Sequence, residues 1–247
     1  MMKHYKFNPR EQAGWEHIWN SNNIPPQYQN NAAPNDTVVK WIQTIPPGGC
    51  VLDVGCGVGR HVLYLGKQGF QVAGVDISPS GVKMAQAACL NQGIVLDGQV
   101  SDMTSLPWPD QTFDAALSTS TIHHQLREGI KKTLAEIWRV LKPGGLCLLD
   151  LPHTDTITYQ TSRELVIARQ IREVEHNTFV DERSDTADSD GFIPHHFCDE
   201  SDIHDLLHGY EILKLWADLQ KVVTEDGFGK AGKWVAWVRK PINNNWR

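Results

Sequence analysis

No apolar run in the 247 residues approaches the ~18 that a membrane-spanning helix needs, so no membrane partner is expected. Residues 1–10 hold no apolar core of the kind a secretory leader requires. Cysteine is scarce: the five stand at 50, 56, 89, 147 and 198, with no C-x-x-C pair. An odd, scattered set reads as reduced thiols in the cytoplasm, not as a disulfide framework. There is no run of basic residues either. Lys and Arg total 23 against 29 Asp and Glu, for a net charge of −6. Phosphate backbones are bound by clustered cations, so nucleic acid is not the expected partner. No internal repeat is present, and nothing in the sequence fixes an oligomeric state. What is present is ordinary for a globular chain, 40% hydrophobic and 21% charged. That length can bury a sizeable core.

The chain is organised around Val51-Leu52-Asp53-Val54-Gly55-Cys56-Gly57-Val58-Gly59-Arg60. An apolar strand runs into a glycine loop and then into a helical pattern. Glycines admit positive φ and let a ligand reach bare backbone. A helix start behind them presents free N–H groups. A dinucleotide fingerprint needs G-x-G-x-x-G. Here the glycines fall at 55, 57 and 59, which is G-x-G-x-G, and Arg60 follows. That spacing speaks against a nicotinamide-dependent oxidoreductase. Cys56 fits the loop as a small packing residue.

Read in order, residues 1–35 are polar but carry Trp15, Ile18 and Trp19 on one face of a short helix. Pro25, Pro26 and Pro34 break the pattern. Asn35 or Asp36 caps a helix bearing Val38, Val39, Ile42 and Ile45. Strand Cys50–Val54, helix 60–68 and strand 70–75 follow. Ser78 caps the next helix, with Pro79 at its first position, and that helix runs to about 91. Strands at 94–100 and Phe113–Ser118 precede a helix over 126–140, whose inward face is Ile130, Leu134, Ile137 and Val140. Lys142-Pro143-Gly144-Gly145 turns into strand 146–151. The rhythm breaks over 152–198, where a helical pattern (162–176) gives way to a polar stretch (181–191). A helix to 207, strands 210–216 and 234–239, and a turn over 225–232 complete the chain. Alternating strands and helices imply a parallel sheet covered on both faces, with ligands at the strands' carboxyl ends.

Several pieces then align in order. Asp76 ends the second strand, where a carboxylate can accept both hydroxyls of a ribose. Asp102-Met103 follows the third strand. The run Leu106-Pro107-Trp108-Pro109-Asp110-Gln111-Thr112-Phe113-Asp114 is similar to L-P-F-P-D-G-S-F-D. The stretch from Ser118 through His123-His124 is similar to S-x-x-x-[LI]-H-H, and Arg139-Val140-Leu141-Lys142-Pro143-Gly144-Gly145 to R-x-L-K-P-G-G. Over residues 50–151 the chain therefore resembles the class I S-adenosylmethionine-dependent methyltransferases of type 11. Its outer segments lean toward the tellurite-resistance and thiopurine methyltransferases.

The resemblance implies a Rossmann-like, doubly wound α/β fold. Its seven-stranded sheet should be mostly parallel with an antiparallel C-terminal strand, plus an N-terminal helical segment and an insertion after strand five. It implies one methyltransferase domain over 1–247. Within it, 1–35 is a lid-like segment, 36–151 the cofactor core, 152–198 a substrate-side insertion and 199–241 a closing helix with two strands. It implies S-adenosyl-L-methionine as cofactor, held by Asp53, Gly55, Gly57, Gly59, Arg60, Asp76, Ile77, Asp102, Met103, Ser118 and His123. In the family the acidic residue at Asp102 reads the adenine amino group.

The expected reaction is in-line displacement at the sulfonium methyl by a small-molecule acceptor. His123 and His124 are the candidate catalytic residues, with packing of His123 on the cofactor as the alternative. Trp15, Trp19, Tyr28, Tyr159, His195, His196 and Phe197 are candidates for the acceptor pocket. A metal site from His195 and His196 with His204 and His208 is conceivable. Helix capping explains the nearby acidic residues, and no metal is required. A binding module that keeps the cofactor without turnover is the other reading.

Overall fold

The computed structural model describes residues 9–20, 24–181, 193–224 and 227–243. The polar stretch expected over 181–191 lies, apart from Asp181, outside the described residues. Helix α1 spans Pro9–Asn20. Helix α2, Asp36–Trp41, is shorter than its apolar pattern, because the chain tightens into a 3-10 turn at Ile42–Thr44 ahead of Pro46 and Pro47. Then come β1 (Cys50–Val54), α3 (Arg60–Lys67), β2 (Gln71–Asp76), α4 (Pro79–Leu90), β3 (Leu96–Val100), β4 (Phe113–Ser118) and α5 (Arg127–Val140). Each starts for a visible reason. The Gly81 amide donates to Ser78 Oγ at 3.0 Å, which caps α4. α5 buries Ile130, Leu134, Ile137 and Val140, the face its 3.6-residue period marks.

The second half holds β5 (Leu141–Pro152), α6 (Ile157–Ile167), β6 (Arg172–Glu175), β7 (Thr178–Val180), β8 (His195–His196), α7 (Glu200–Leu206), β9 (Glu211–Thr224) and β10 (Gly227–Arg239). Seven strands form one sheet in the order β3-β2-β1-β4-β5-β10-β9. The first five are parallel to one another, and β10 is antiparallel to both of its neighbours, β5 and β9. The central strands are buried on both faces, which accounts for their unbroken apolar runs. Apolar clusters fill both sides of the sheet, one under α5 and α7, the other under α2, α3 and α4. From β1 the chain winds outward to β2 and β3, then crosses back to β4 on the other side. That reversal opens a crevice at the strands' carboxyl ends.

The structure departs from the sequence pattern in three places. The helix expected over 162–176 begins earlier, where Thr156 Oγ1 accepts from the Tyr159 amide at 3.3 Å, and it ends at Ile167. Arg169 and Asn177 take φ of 56° and 58°, which no helix allows, and β6 and β7 form a hairpin instead. With β8 they make a small antiparallel sheet. Where a turn was expected over 225–232, β9 and β10 stay paired out to Thr224 and Gly227, so 227–232 are strand, while 225 and 226 lie outside the described residues. Glycines in that stretch suggest turn chemistry. Gly232 serves close strand approach instead, since a Cβ there would lie 2.0 Å from Asp218 O. The Lys142–Gly145 turn is absorbed into β5 as a register break opposite Phe113 and Ala115. β10 pairs with β5 only from Lys233, opposite Pro152, so the rest of the β9–β10 hairpin overhangs β5's carboxyl end.

Candidate active site

At those carboxyl ends lies a cavity of about 1060 Å³. Its floor is the loop from β1 to α3, where Gly55, Gly57 and Gly59 take φ of 79°, 51° and 98°. A Cβ on Gly55 would sit 2.0 Å from Thr121 Cγ2, and one on Gly59 2.8 Å from Ala85 Cα. Gly59 therefore serves the approach of α3 to α4 and does not line the cavity. Gly55 and Gly57 do line it. The Trp19 ring stands 3.1 Å from the point a Gly57 Cβ would occupy.

Carboxylates cluster at this end. Asp53 is 2% exposed, and burial raises it to about 7 although Arg60 opposes the shift. Asp76 Oδ2 accepts from the Gly57 amide at 2.8 Å, and Oδ1 from the Ser78 amide at 2.9 Å. Burial raises Asp76 to about 6, and those backbone bonds hold it from rising further. Asp76 thus pins the glycine loop to the start of α4, with the Ile77 amide as a further donor. Asp102 Oδ1 accepts from the amide and hydroxyl of Thr104, both at 2.8 Å. The Met103 sulfur accepts from Gln125 Nε2 at 3.3 Å. Arg60 donates to Gln27 O at 2.6 Å. Asp53, Gly57, Arg60, Asp76, Ile77, Asp102, Met103 and Gln125 line the cavity. Ser118 does not: it is fully buried, and its hydroxyl donates to Val54 O at 2.8 Å.

The opposite wall is rich in imidazole. His123 and His124 follow β4 on the 119–126 loop, their ring centroids 3.9 Å apart. His195, on β8, stands 4.5 Å from His124, whose other edge meets Trp15 at 4.9 Å. The His196 amide donates to His123 O at 2.9 Å and ties β8 to this loop. His123 is buried and held well below its ordinary 6.5 by burial first, then by His195 and Lys233. Phe197 completes this wall. Two expected pocket residues lie behind it. Tyr159 donates its hydroxyl to Asn177 Oδ1 at 2.7 Å and packs on Phe179 and Phe197. His196 is saturated, with Thr178 Oγ1 at 2.7 Å and Asp202 Oδ2 at 2.6 Å.

Helix α1 covers the loop side. Glu16 accepts from Ser78 Oγ at 2.5 Å, from the Ser80 amide at 3.1 Å, and from the Ser80 hydroxyl. Trp15 and Trp19 stack at 6.0 Å, and Tyr28 meets Trp19 edge-on at 6.3 Å. All three line the cavity.

Other lining residues carry no motif. Asp150, at the end of β5, is buried, accepts from the Ser120 amide at 2.6 Å and pairs with Lys233 Nζ at 2.5 Å. Ser120 takes φ of 54°, so this bond holds a left-handed turn in the histidine loop. Lys233, Asp218 and Gln220 come from the overhanging hairpin. His61, buried beneath the loop, is lowered to about 3 by burial and then by Arg60. Asp150 had a signal, a lone carboxylate in the apolar run 146–151. Lys233 had none, since the pairing that places it is non-local.

The donor set suits a nucleoside on a sulfonium. Asp76 lines the cavity together with Asp53 and Asp102, and the indole N–H of Trp19, buried beside Gly57, has no hydrogen-bond partner among the described residues. Comparison with known proteins agrees. Residues 52–149 match the family described as "Methyltransferase domain". Over those residues the chain is similar to the class I, S-adenosylmethionine-dependent methyltransferases. The chain is 37% identical over 115 residues to the 2-methyl-6-phytyl-1,4-hydroquinone methyltransferase of Synechocystis sp., covering 45% of this chain and 35% of that protein. It spans about half or less of the curated relatives it matches. Among solved structures it is similar to a SAM-dependent methyltransferase of Methanosarcina mazei, at 23% identity and a TM-score of 0.66 over 85% of this chain and all of that one. It is also similar in fold to TehB of Haemophilus influenzae, at 18% identity and a TM-score of 0.61 over 88% and 66%.

Proposed function

We propose that this chain transfers a methyl group from S-adenosyl-L-methionine to a small-molecule acceptor. The observation that carries this reading is the pairing of two unlike walls in one cavity. Carboxylates around a glycine loop stand at one end, and imidazoles with aromatic rings at the other. Asp76 would hold the ribose hydroxyls, Asp102 and Met103 the adenine, and Asp53 and Arg60 the methionine end. The cofactor supplies an electrophilic methyl on a sulfonium sulfur, open to in-line displacement. The chain's own contribution is position and exclusion of water. Trp15 and Phe197 would orient the acceptor, and α1 would close over it. A neutral His123 or His124 can take the acceptor's proton where one must leave.

On this reading the chain works as one domain. Its lid is 1–35, its cofactor core 36–151, its acceptor side 152–198, and its closing elements 199–241. A net charge of −6 supports a small molecule over nucleic acid, and the reduced cysteines support a cytoplasmic setting. The test is turnover: S-adenosylhomocysteine should accumulate when the purified protein meets a panel of small acceptors. Tight cofactor binding without any product across that panel would favour the binding module.

A further inference from the structure

The three cavity-facing imidazoles come from two separate segments, yet one ring nitrogen from each lies within 4.8 Å of the others. His123 and His124 are neighbours on the loop after β4, and His195 reaches them from β8. The bond from the His196 amide to His123 O fixes the two segments together. His123 is 8% exposed, and its Nδ1 is buried with no hydrogen-bond partner among the described residues. A buried polar nitrogen without a partner costs free energy unless something is bound to it. The neighbouring cluster of His196, Cys198 and Asp202 is a useful contrast. It also brings three ligand atoms together. There His196 is satisfied on both nitrogens, and Asp202 is held by Arg127 at 2.6 Å, so that group is a closed structural network.

We propose that His123, His124 and His195 form a three-imidazole site for a divalent transition metal of the zinc class, with its open coordination position facing the cavity. Three imidazoles are a ligand set that suits zinc, nickel, copper or iron. Three protein ligands with a free fourth position are the pattern of zinc sites that act on a substrate. A metal–nitrogen distance of about 2.0–2.1 Å needs the donors about 3.4 Å apart, a closure of no more than about 1.4 Å from the present arrangement. Asp150 stays occupied with Lys233 and Ser120, which leaves the cation to the imidazoles alone. In this site the metal would bind the acceptor's thiol or hydroxyl and lower its pKa, so that its proton passes to solvent, with the metal in place of an imidazole base. The bound anion then takes the methyl as the sulfonium–methyl bond breaks and S-adenosylhomocysteine leaves. That role rests on the methyl-transfer reading, whereas the metal site itself does not. It also revises the sequence expectation that no metal is required.

The experiment is a titration of the intact, metal-stripped chain with Zn²⁺ by calorimetry and with Co²⁺ by visible absorption, without cofactor or acceptor. The expected result is one metal per chain, with the intense visible bands of four-coordinate cobalt and no thiolate charge-transfer band. His195→Ala and His124→Ala should each weaken binding at least tenfold. Both should keep the wild-type circular dichroism and bind S-adenosyl-L-methionine as before. The double variant His204→Ala/His208→Ala, which removes the exposed histidines of the other candidate site, should bind metal normally. No saturable uptake, uptake that survives both single variants, uptake lost in the double variant, or a cobalt–thiolate band would each overturn the site. Failure of methyl transfer itself would show in the cofactor titration and the product assay, which are separate readouts.

Discussion

The two ends of the cavity are built in opposite ways. The core of the cofactor end is assembled from contiguous sequence: β1, the glycine loop, α3, β2 and the Ser78 cap lie within thirty-odd residues, and Asp102 and Met103 join them from the end of the next strand. Its parts hold one another through backbone, as Asp76 does by accepting from Gly57 and Ser78. The acceptor end is assembled from four distant segments. Helix α1, the histidine loop, β8 and the β9–β10 overhang meet there, through contacts such as His196 to His123 and Lys233 to Asp150. The difference teaches that one end is a fixed frame and the other a set of adjustable walls. Variants should therefore separate cofactor binding from turnover.

The largest effect should come from the frame. Gly55→Val places a β-branched residue at φ 79° with its Cβ 2.0 Å from Thr121 Cγ2. Valine cannot hold that backbone without strain of about 1–2 kcal/mol, and the clash adds to it. Cofactor binding should disappear in a calorimetric titration, with a clear drop in melting temperature. A variant that binds at wild-type strength would mean that the loop is only a turn.

Removing residues 1–30 should come next. It takes away Trp15, Trp19, Tyr28 and the Glu16 contacts with α4. Turnover should fall at least a hundredfold while the melting temperature falls by a few degrees, both measured on the same sample. Normal turnover in the surviving folded protein would reduce α1 to surface packing.

The frame was legible because local chemistry dictates it. Ser78 and Pro79 announce α4, and the period of 126–140 gives α5 its buried face. The run 106–114 aligned well with its family pattern, and the structure shows it as a brace. Trp108 Nε1 donates to Asp97 Oδ2 at 2.7 Å, and Arg139 binds Trp108 O and Asp110. Gln111 takes φ 55° where that pattern has glycine. The walls were only half legible. Aromatic residues on a polar stretch marked α1, and His195 stood out by type. Nothing local marks Lys233, because strand pairing with β5 places it. Periodicity over 162–176 could not foresee the left-handed conformation of Arg169 within it and of Asn177 just past it. Tyr159 and His196 have the right chemistry, but their polar atoms are engaged by Asn177, Thr178 and Asp202.

A smaller effect concerns pH. Burial raises Asp53 to about 7 and Asp76 to about 6, whereas unfolded aspartates titrate near 3.9. Between those values the native state holds protons that the unfolded chain has lost. Stability without cofactor should therefore be full below about pH 4 as far as these groups are concerned, and fall as pH rises toward 7. Asp53→Asn should flatten that slope in melting curves recorded from pH 4 to 8. An unchanged slope would mean that Asp53 is charged in the native protein.

The central claim, that the two ends act separately, is tested most directly by titrating S-adenosyl-L-methionine into wild type, Asp76→Ala and Lys233→Met under one set of conditions. Wild type should bind one cofactor per chain. Asp76→Ala should weaken binding by about 1.5–3 kcal/mol, the range for hydrogen bonds to a charged group. Lys233→Met should bind within about twofold of wild type, even though Asp150 keeps only the Ser120 amide as a partner. Equal losses in both variants, or no loss in Asp76→Ala, would contradict the account.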